Sequence, residues 1–243
     1  MVRRVRELGQ TAVAITDHGV MYGAVDFYKA CKAEGIKPII GCEVYVAPRT
    51  RFDKVHEMDS GARHLILLCR NEVGYRNLCH MVSRSFTEGF YVRPRIDKDL
   101  LREHHEGLIA LSACLAGEIP RFLRNGQQEA LAMRELFGAD GYYLELQDHS
   151  LPEDPQIVQG LLRLHEDTGI PLVATNDAHY LSRADAVTQD VLMCIQMGKT
   201  VDDPGRMKFE TEEFYVKSEA EMRALFPQCP EAIENTQRVA DLC

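Results

Sequence analysis

Short apolar runs alternate with longer amphipathic stretches along most of this chain. Apolar runs bounded by turn residues are typical of buried strands, and the stretches between them have the periodicity of helices. The alternation predicts an α/β protein in which βαβ units build a parallel sheet beneath a layer of helices. The predicted strands are Ala12–Ile15, Pro38–Val46, His64–Cys69, Leu108–Leu111, Tyr142–Leu146 and Leu172–Ala174.

The amphipathic stretches predict helices, and glycines mark the ends of two of them. Gly35 and Gly169 each follow a helical stretch and precede a short entry into a strand, which is where a left-handed terminating residue belongs. The predicted helices are Tyr22–Ala33, Gly74–Ser85, Lys98–His104, Gly117–Arg124, Gln128–Phe137, Pro155–Thr168, Arg183–Met197, Glu219–Leu225 and Pro230–Leu242.

The two ends of the chain depart from this alternation. Residues 1–9 have the pattern of the last turns of an amphipathic helix closed by Gly9, whereas an alternating chain normally begins with a strand. We therefore expect that the first strand is missing, and that the six predicted strands belong to a seven-stranded barrel. Residues 1–200 form the predicted barrel, and residues 201–243 the predicted connector helices.

Composition narrows the class of protein. The 243 residues suffice for a full core, and 28 Lys and Arg against 37 Asp and Glu give a net charge of −9. No basic run marks a protein that coats duplex DNA, so any contact with nucleic acid is local. The eight cysteines show no repeating Cys-x-x-Cys pattern, and no signal peptide or membrane-spanning run is visible. A reduced, cytoplasmic protein is expected.

Carboxylates and imidazoles follow two of the predicted strands. Thr16-Asp17-His18-Gly19 comes directly after one strand, and Asn176-Asp177-Ala178-His179 after the last, at the strand ends where parallel barrels carry their chemistry. Asp-x-His places both side chains on one face of an extended segment, so one cation can bind both. The alternative for Asp17 and His18 is a helix cap followed by a surface histidine; Gly19 and the second motif favour ligands.

Three more residues are candidates with weaker signals. Glu43 follows an apolar strand and would reach the barrel mouth, where a bridging carboxylate suits a multinuclear site; the alternative is an ordinary strand-end glutamate. Cys114 directly follows the run Leu108–Ala113. A lone cysteine is more often a small core residue than a zinc ligand. His64 opens its strand rather than closing it, so the strand-end rule does not place it.

The remaining motifs, and the absence of two others, indicate the type of reaction. Gly89–Arg95 mixes aromatic residues with Arg93 and Arg95, a combination that stacks bases and binds phosphate, or else forms a solvated loop. His149 follows a strand and fits a supporting or surface position. There is no Gly-rich phosphate loop and no nucleophile elbow, which leaves water attack on a phosphoester at a His/Asp/Glu metal site.

Together these motifs resemble the PHP (polymerase and histidinol phosphatase) domain that begins bacterial DNA polymerase III alpha subunits. The resemblance covers nearly the whole chain, with the motifs in the family's order. It rests on Ala14–Gly19, Gly35–Tyr45, His64–Leu68, Asn71, Gly74–Leu78, Glu106–Glu118 and Ala174–Tyr180.

The resemblance implies a distorted seven-stranded (βα) barrel of the TIM-like type with up to three divalent cations, zinc and/or manganese. The activity it implies is a metal-dependent 3′→5′ exonuclease that proofreads within a DNA-directed DNA polymerase. By motif, the metal ligands are His18, Glu43, His64, Cys114, Asp177 and His179; the catalytic carboxylates are Asp17, Glu43 and Asp177, with Asp17 supporting His18; and the substrate-binding residues are Arg93 and Arg95.

The sequence also departs from the family pattern. The family's first strand carries a His-x-His pair with a following acidic residue, and its polymerase core carries catalytic aspartates; neither is in this sequence. We expect a fragment, weak or inactive alone. The implied partners are the DNA primer 3′ end, the rest of the polymerase subunit and, through the full-length protein, the sliding clamp and a separate proofreading exonuclease.

Two other functions stay open at this point. The first is an inactive structural barrel that stabilises the polymerase and docks a partner. The second is a free-standing phosphatase of small molecules such as histidinol phosphate.

Overall fold

A computed structural model of the protein describes residues 1–121 and 126–243. Within them, seven strands form one curled sheet in the order β1-β2-β3-β5-β6-β7, with β4 paired to the far part of β2. This confirms the α/β class, and all six predicted strands match within one residue at each end. The strands are β1 (Ala12–Ile15), β2 (Lys37–Val46), β3 (Arg63–Cys69), β4 (Arg95–Ile96), β5 (Leu108–Leu111), β6 (Tyr142–Leu146) and β7 (Leu172–Ala174).

The sheet is mixed, so the prediction of a parallel sheet is wrong at one strand. β3 runs antiparallel to both β2 and β5, whereas the β1–β2, β2–β4, β5–β6 and β6–β7 pairs are parallel. Reversal of β3 brings its first residues to the edge where its neighbours end, and His64 pairs with Tyr45 near the end of β2. The strand-end rule therefore holds for His64 once the direction of β3 is known.

The helices follow the predicted pattern with small shifts at their ends. The stretch predicted as Arg183–Met197 begins as a 3₁₀ turn at Arg183–Asp185, and part of the predicted helix Gly117–Arg124, residues 122–125, lies outside the described residues. The helices are α1 (Val2–Glu7), α2 (Ala24–Glu34), α3 (His56–Asp59), α4 (Glu72–Thr87), α5 (Lys98–His104), α6 (Glu118–Arg121), α7 (Gly126–Phe137), α8 (Asp154–Thr168), α9 (Ala186–Met197), α10 (Glu219–Leu225) and α11 (Pro230–Leu242).

The two faces of the sheet have different neighbours because side chains alternate along each strand. On the outer face, Val44, Leu67 and Leu144 pack with the buried sides of α4, α5, α7 and α8 in the main core. On the inner face, Ile39, Ile66, Ile109, Tyr143 and Val173 form a second core. Glu43 and His64 lie in register with this inner face, so the strand pattern points them inside the curl.

The polar loop of residues 47–63 is held to the sheet by Arg95. This loop contains α3, and Arg95 is fully buried beneath it on β4, a strand missed in the predicted irregular stretch Gly89–Arg95. The Arg95 guanidinium donates to the carbonyls of Asp59 at 3.0 Å and Asp53 at 2.9 Å. Two residues are too few to give an alternating pattern, which is why β4 is invisible in the sequence.

The predicted connector packs against the barrel at several points. In α11, Val239 and Ala240 join the inner-face core, and Asn235 donates to the Leu172 carbonyl of β7 at 2.8 Å. Nearer the site, Asn176 donates to the carbonyls of Glu213 and Tyr215. The boundary at residue 200 and a further strand before α1 both stay predictions, and contacts cross that boundary. Among the described residues, no helix has the length and apolar character needed to cross a membrane.

Candidate metal centre

The turn that carries His18 is joined to Glu43 by backbone hydrogen bonds in both directions. The Gly19 amide donates to the Glu43 carbonyl at 2.9 Å, and the Glu43 amide donates to the Asp17 carbonyl at 3.1 Å. Gly19 has a φ of 68°, and a Cβ there would lie 2.9 Å from Pro94 Cγ and 3.0 Å from the Tyr45 ring. Only glycine fits this close approach without displacing its neighbours, so the turn fixes His18 beside Glu43.

His18, Glu43 and His64 form the centre of the site. One ligand atom from each lies within 4.8 Å of the others. Glu43 Oε1 is 3.4 Å from His18 Nε2 and in close contact with His64 Nδ1. The Glu43 side chain is 5% exposed, whereas that of His18 is 43% exposed. The centre is therefore buried on the side of Glu43 and open to solvent on the side of His18.

Cys114 reaches the same centre from the loop after β5. His64 donates its amide to the Ala116 carbonyl at 3.2 Å, which holds that loop against the start of β3. Cys114 Sγ lies 3.7 Å from His64 Nδ1. Ala113 just before it has a φ of 63°, an unusual backbone for a residue with a Cβ. Burial and the carboxylates of Glu43 and Asp177 raise the pKa of the Cys114 thiol.

Asp177 and His179 approach from the loop after β7. The ring of His179 lies 5.9 Å from that of His18 between centroids. His179 Nδ1 donates to the Asp177 carbonyl at 2.7 Å; because a carbonyl only accepts, Nδ1 carries the proton and Nε2 keeps a free lone pair. Asp177 has a φ of 43°, the kind of backbone strain that concentrates at functional sites.

The electrostatics of the site fit a cation. Burial raises the pKa of the Asp177 carboxyl, His179 opposes this rise, and the Glu43 carboxylate adds to it. Glu43 Oε1 is buried and has no hydrogen bond of normal geometry to the described residues. Imidazole nitrogens and a thiolate suit zinc, and carboxylate oxygens suit zinc or manganese. The residues present therefore suit a divalent cation.

Asp17 and the two arginines have different positions from the rest of the predicted site. The Asp17 side chain is exposed, and its backbone carbonyl rather than its carboxylate holds Glu43. Arg93 is exposed and lies 5.7 Å from the centroid of the Tyr45 ring, which itself packs 5.1 Å from His64. Arg95 is buried with its guanidinium on backbone carbonyls, so its position does not support the predicted contact with substrate.

Three further residues at the site were not identified as site residues from the sequence. Glu145 is a buried carboxylate on β6. The feature of the sequence that could have identified it is a charged residue inside the apolar run Tyr142–Leu146. Phe209 packs 4.9 Å from His179 between ring centroids, and no local pattern marks it. Tyr45 lies between Arg93 and His64. His149 is buried, stacks on Phe214 at 3.9 Å and bonds to the Asn176 carbonyl, as expected for a supporting residue.

Comparisons with known proteins identify the family of the chain. A family model described as PHP domain matches residues 1–149. The DNA polymerase III subunit alpha of Treponema pallidum is 50% identical over 100% of this chain and 21% of its own length; that of Borreliella burgdorferi is 44% identical over 100% and 22%. The chain thus spans about a fifth of these relatives.

A solved structure of an amidohydrolase from Chromobacterium violaceum aligns over 72% of this chain and 78% of its own. The identity is 12% and the TM-score 0.40, which is too distant a likeness to support an inference.

Proposed function

Because the chain belongs to the PHP domain family, we propose that it is the metal-dependent phosphodiesterase part of a bacterial DNA polymerase III alpha subunit. Its reaction is the hydrolytic removal of nucleotides from a DNA primer 3′ end, in the 3′→5′ direction. The observation that carries the proposal is the convergence of His18, Glu43 and His64 within 4.8 Å. The names of the relatives, at 50% and 44% identity over the whole chain, support the polymerase branch over a small-molecule phosphatase.

The cations are zinc or manganese, up to three in a complete family site. His18, Glu43 and His64 would hold one, with Cys114, Asp177 and His179 supplying further donors beside it. A bound divalent cation lowers the pKa of a water molecule and neutralises charge on a phosphodiester. The buried Glu43 and the backbone-held His179 keep their donor atoms in place before a cation arrives.

The chain's own residues position the substrate. Arg93 is exposed beside Tyr45 at the open side of the site, where its guanidinium can bind a DNA phosphate in bidentate fashion. Phe209, partly buried against His179, offers a ring face to the terminal base. Asp17, with its carboxylate exposed one residue from His18, would orient that imidazole when a cation is bound.

The partners follow from the same assignment. They are DNA, the rest of the polymerase subunit and, through it, the sliding clamp and a separate proofreading exonuclease, in the bacterial cytoplasm. The exposed apolar side chains of Val187, Leu192 and Ile195 on α9 support packing against the rest of the subunit.

A nuclease assay tests the proposal. The chain is extended by the family's His-x-His strand and incubated with Mn²⁺ or Zn²⁺ and an oligonucleotide labelled at its 5′ end. We expect stepwise shortening from the 3′ end, faster on a mismatched terminus, and a loss of at least about 100-fold in His179→Ala because a metal ligand is removed. His56→Ala, an exposed histidine on α3, is the matched control and should retain full activity.

Two results would count against the assignment. Shortening that persists in His179→Ala would show that another nuclease is present. Neither bound metal nor shortening in the extended chain would favour the alternative of a structural barrel, for which the exposed side of α9 is the supporting feature.

A further inference from the structure

Glu145 lies on the inner face of the sheet. It is not one of the predicted metal ligands, and it is far from them in the sequence. It is paired with Val173 across β6 and β7, and its amide donates to Ser112 Oγ at 2.9 Å. The side chain follows Tyr143 on the same face, and the residue is 4% exposed. Its backbone is therefore fixed, and its carboxylate is shut off from bulk water.

Only one of the two carboxylate oxygens of Glu145 has hydrogen-bond partners. Oε1 accepts from the Thr175 hydroxyl at 2.5 Å and from the side-chain amide of Gln147, through Nε2, at 3.2 Å. Oε2 is buried and has no partner among the residues that the structure describes. A buried carboxylate oxygen without a donor is costly and rare in folded proteins, so this atom is free to bind a group that the described residues do not supply.

The surroundings of Glu145 are negative. Burial is the main cause that raises the Glu145 pKa to about 7, and the carboxylates of Glu43 and Asp177 raise it further, against the Thr175 hydrogen bond. Glu145 in turn contributes to the raised pKa of the Cys114 thiol. The carboxylates of Glu43 on β2, Glu145 on β6 and Asp177 after β7 thus repel one another.

We propose that Glu145 is an additional cation ligand, whose Oε2 binds a divalent cation together with the carboxylates of Glu43 and Asp177. This deepens the proposed function and rests on it. Three carboxylates form an oxygen-rich set, which suits manganese or magnesium, whereas the imidazoles of His18 and His64 suit zinc. Glu145 is outside the ligand set that the family resemblance implies, and it adds an oxygen-rich side to the centre.

The test is Mn²⁺ binding to the 243-residue chain, measured from the electron paramagnetic resonance signal of free Mn²⁺. Glu145→Gln keeps the shape of the side chain and an oxygen for Thr175, but removes the charge. We expect at least about tenfold weaker Mn²⁺ binding, or the loss of one Mn²⁺ equivalent, in this variant. Zn²⁺ binding should change less, because the imidazoles are untouched; a merely structural role would not separate the two metals.

Asp148→Asn is the matched control, since Asp148 lies just beyond the same strand and accepts a hydrogen bond from the Ser150 amide. It should bind Mn²⁺ as the parent chain does. Circular dichroism in EDTA checks that each variant is folded. If Glu145→Gln does not fold, Glu145→Asp, which keeps the charge but shortens the side chain, should show the same selective loss.

Unchanged Mn²⁺ affinity and stoichiometry in a folded Glu145 variant would overturn the assignment of Glu145 alone. That result would leave the proposed function standing, because its own test depends on His179 and on DNA shortening. A parent chain that binds no Mn²⁺ would also overturn the assignment of Glu145, while the proposed function would still be decided by the assay on the extended chain.

Discussion

Arg93 and Arg95 are two residues apart and have opposite environments. The first is exposed beside Tyr45 at the open side of the site. The second is fully buried and donates to the carbonyls of Gly89, Arg51, Asp53 and Asp59. The sequence shows both as arginines in an aromatic loop, so it cannot distinguish a phosphate ligand from a buried cross-link. The difference depends on β4 and on the loop that folds over it.

Replacing each arginine by methionine should separate these roles. Arg95→Met should lower the free energy of unfolding by about 3 kcal/mol, since several buried carbonyls lose their charged donor. Arg93→Met should change it by less than about 0.5 kcal/mol, as at other surface positions, but weaken binding of a single-stranded oligonucleotide. Urea unfolding and fluorescence anisotropy measure the two effects. Equal losses of stability in both variants would contradict the distinction.

At the scale of elements, hydrophobic patterning predicted most helices and strands but not the direction of β3. An alternating strand has the same pattern in either direction, so only pairing with β2 and β5 shows that β3 is reversed. That reversal is what brings His64 to Glu43. The motif resemblance named His64 as a ligand, although the strand-end rule alone gave no reason for it. The structure places His64 in contact with Glu43, and its role as a ligand stays a prediction.

The glycine at position 74, in the first turn of α4, is explained by a contact with a segment distant in sequence. Asn71 caps the helix by accepting from the Gly74 amide at 3.1 Å, and the capped turn lies against Gly107. A Cβ on Gly74 would lie 1.8 Å from the Gly107 carbonyl oxygen. Helix propensity alone would favour alanine at this position, so the glycine reflects packing against the turn before β5.

Gly74→Ala should therefore lower the free energy of unfolding by about 1–3 kcal/mol, because the overlap with Gly107 outweighs the gain in helix propensity. Gly126→Ala at the start of α7 is the control, since among the described residues the nearest atom to the new Cβ would be 3.5 Å away. That variant should be unchanged or slightly more stable in urea unfolding. A stabilised Gly74→Ala would show that the helix start moves freely away from Gly107.

At the scale of the whole molecule, the site collects residues from segments far apart in sequence. The resemblance named six ligands, and the structure brings His18, Glu43 and His64 within 4.8 Å of one another. Cys114 Sγ lies 3.7 Å from His64 Nδ1, and the His179 ring lies 5.9 Å from that of His18. Glu145 and Phe209 were missed as site residues because their roles depend on strand pairing and on a loop from the predicted connector. The same connector supplies Val239 and Ala240 to the inner core, a contact that no local pattern indicates.

The central claim is that these residues form one centre for divalent cations. Crystals grown with Mn²⁺ and measured at the manganese absorption edge test it directly, because anomalous scattering locates the metal without assumptions about activity. We expect an anomalous peak about 2.0–2.3 Å from His18 Nε2 and the Glu43 carboxylate, in the range typical of ligand distances. An empty centre at millimolar Mn²⁺, or a peak bound only to surface carboxylates elsewhere, would contradict it.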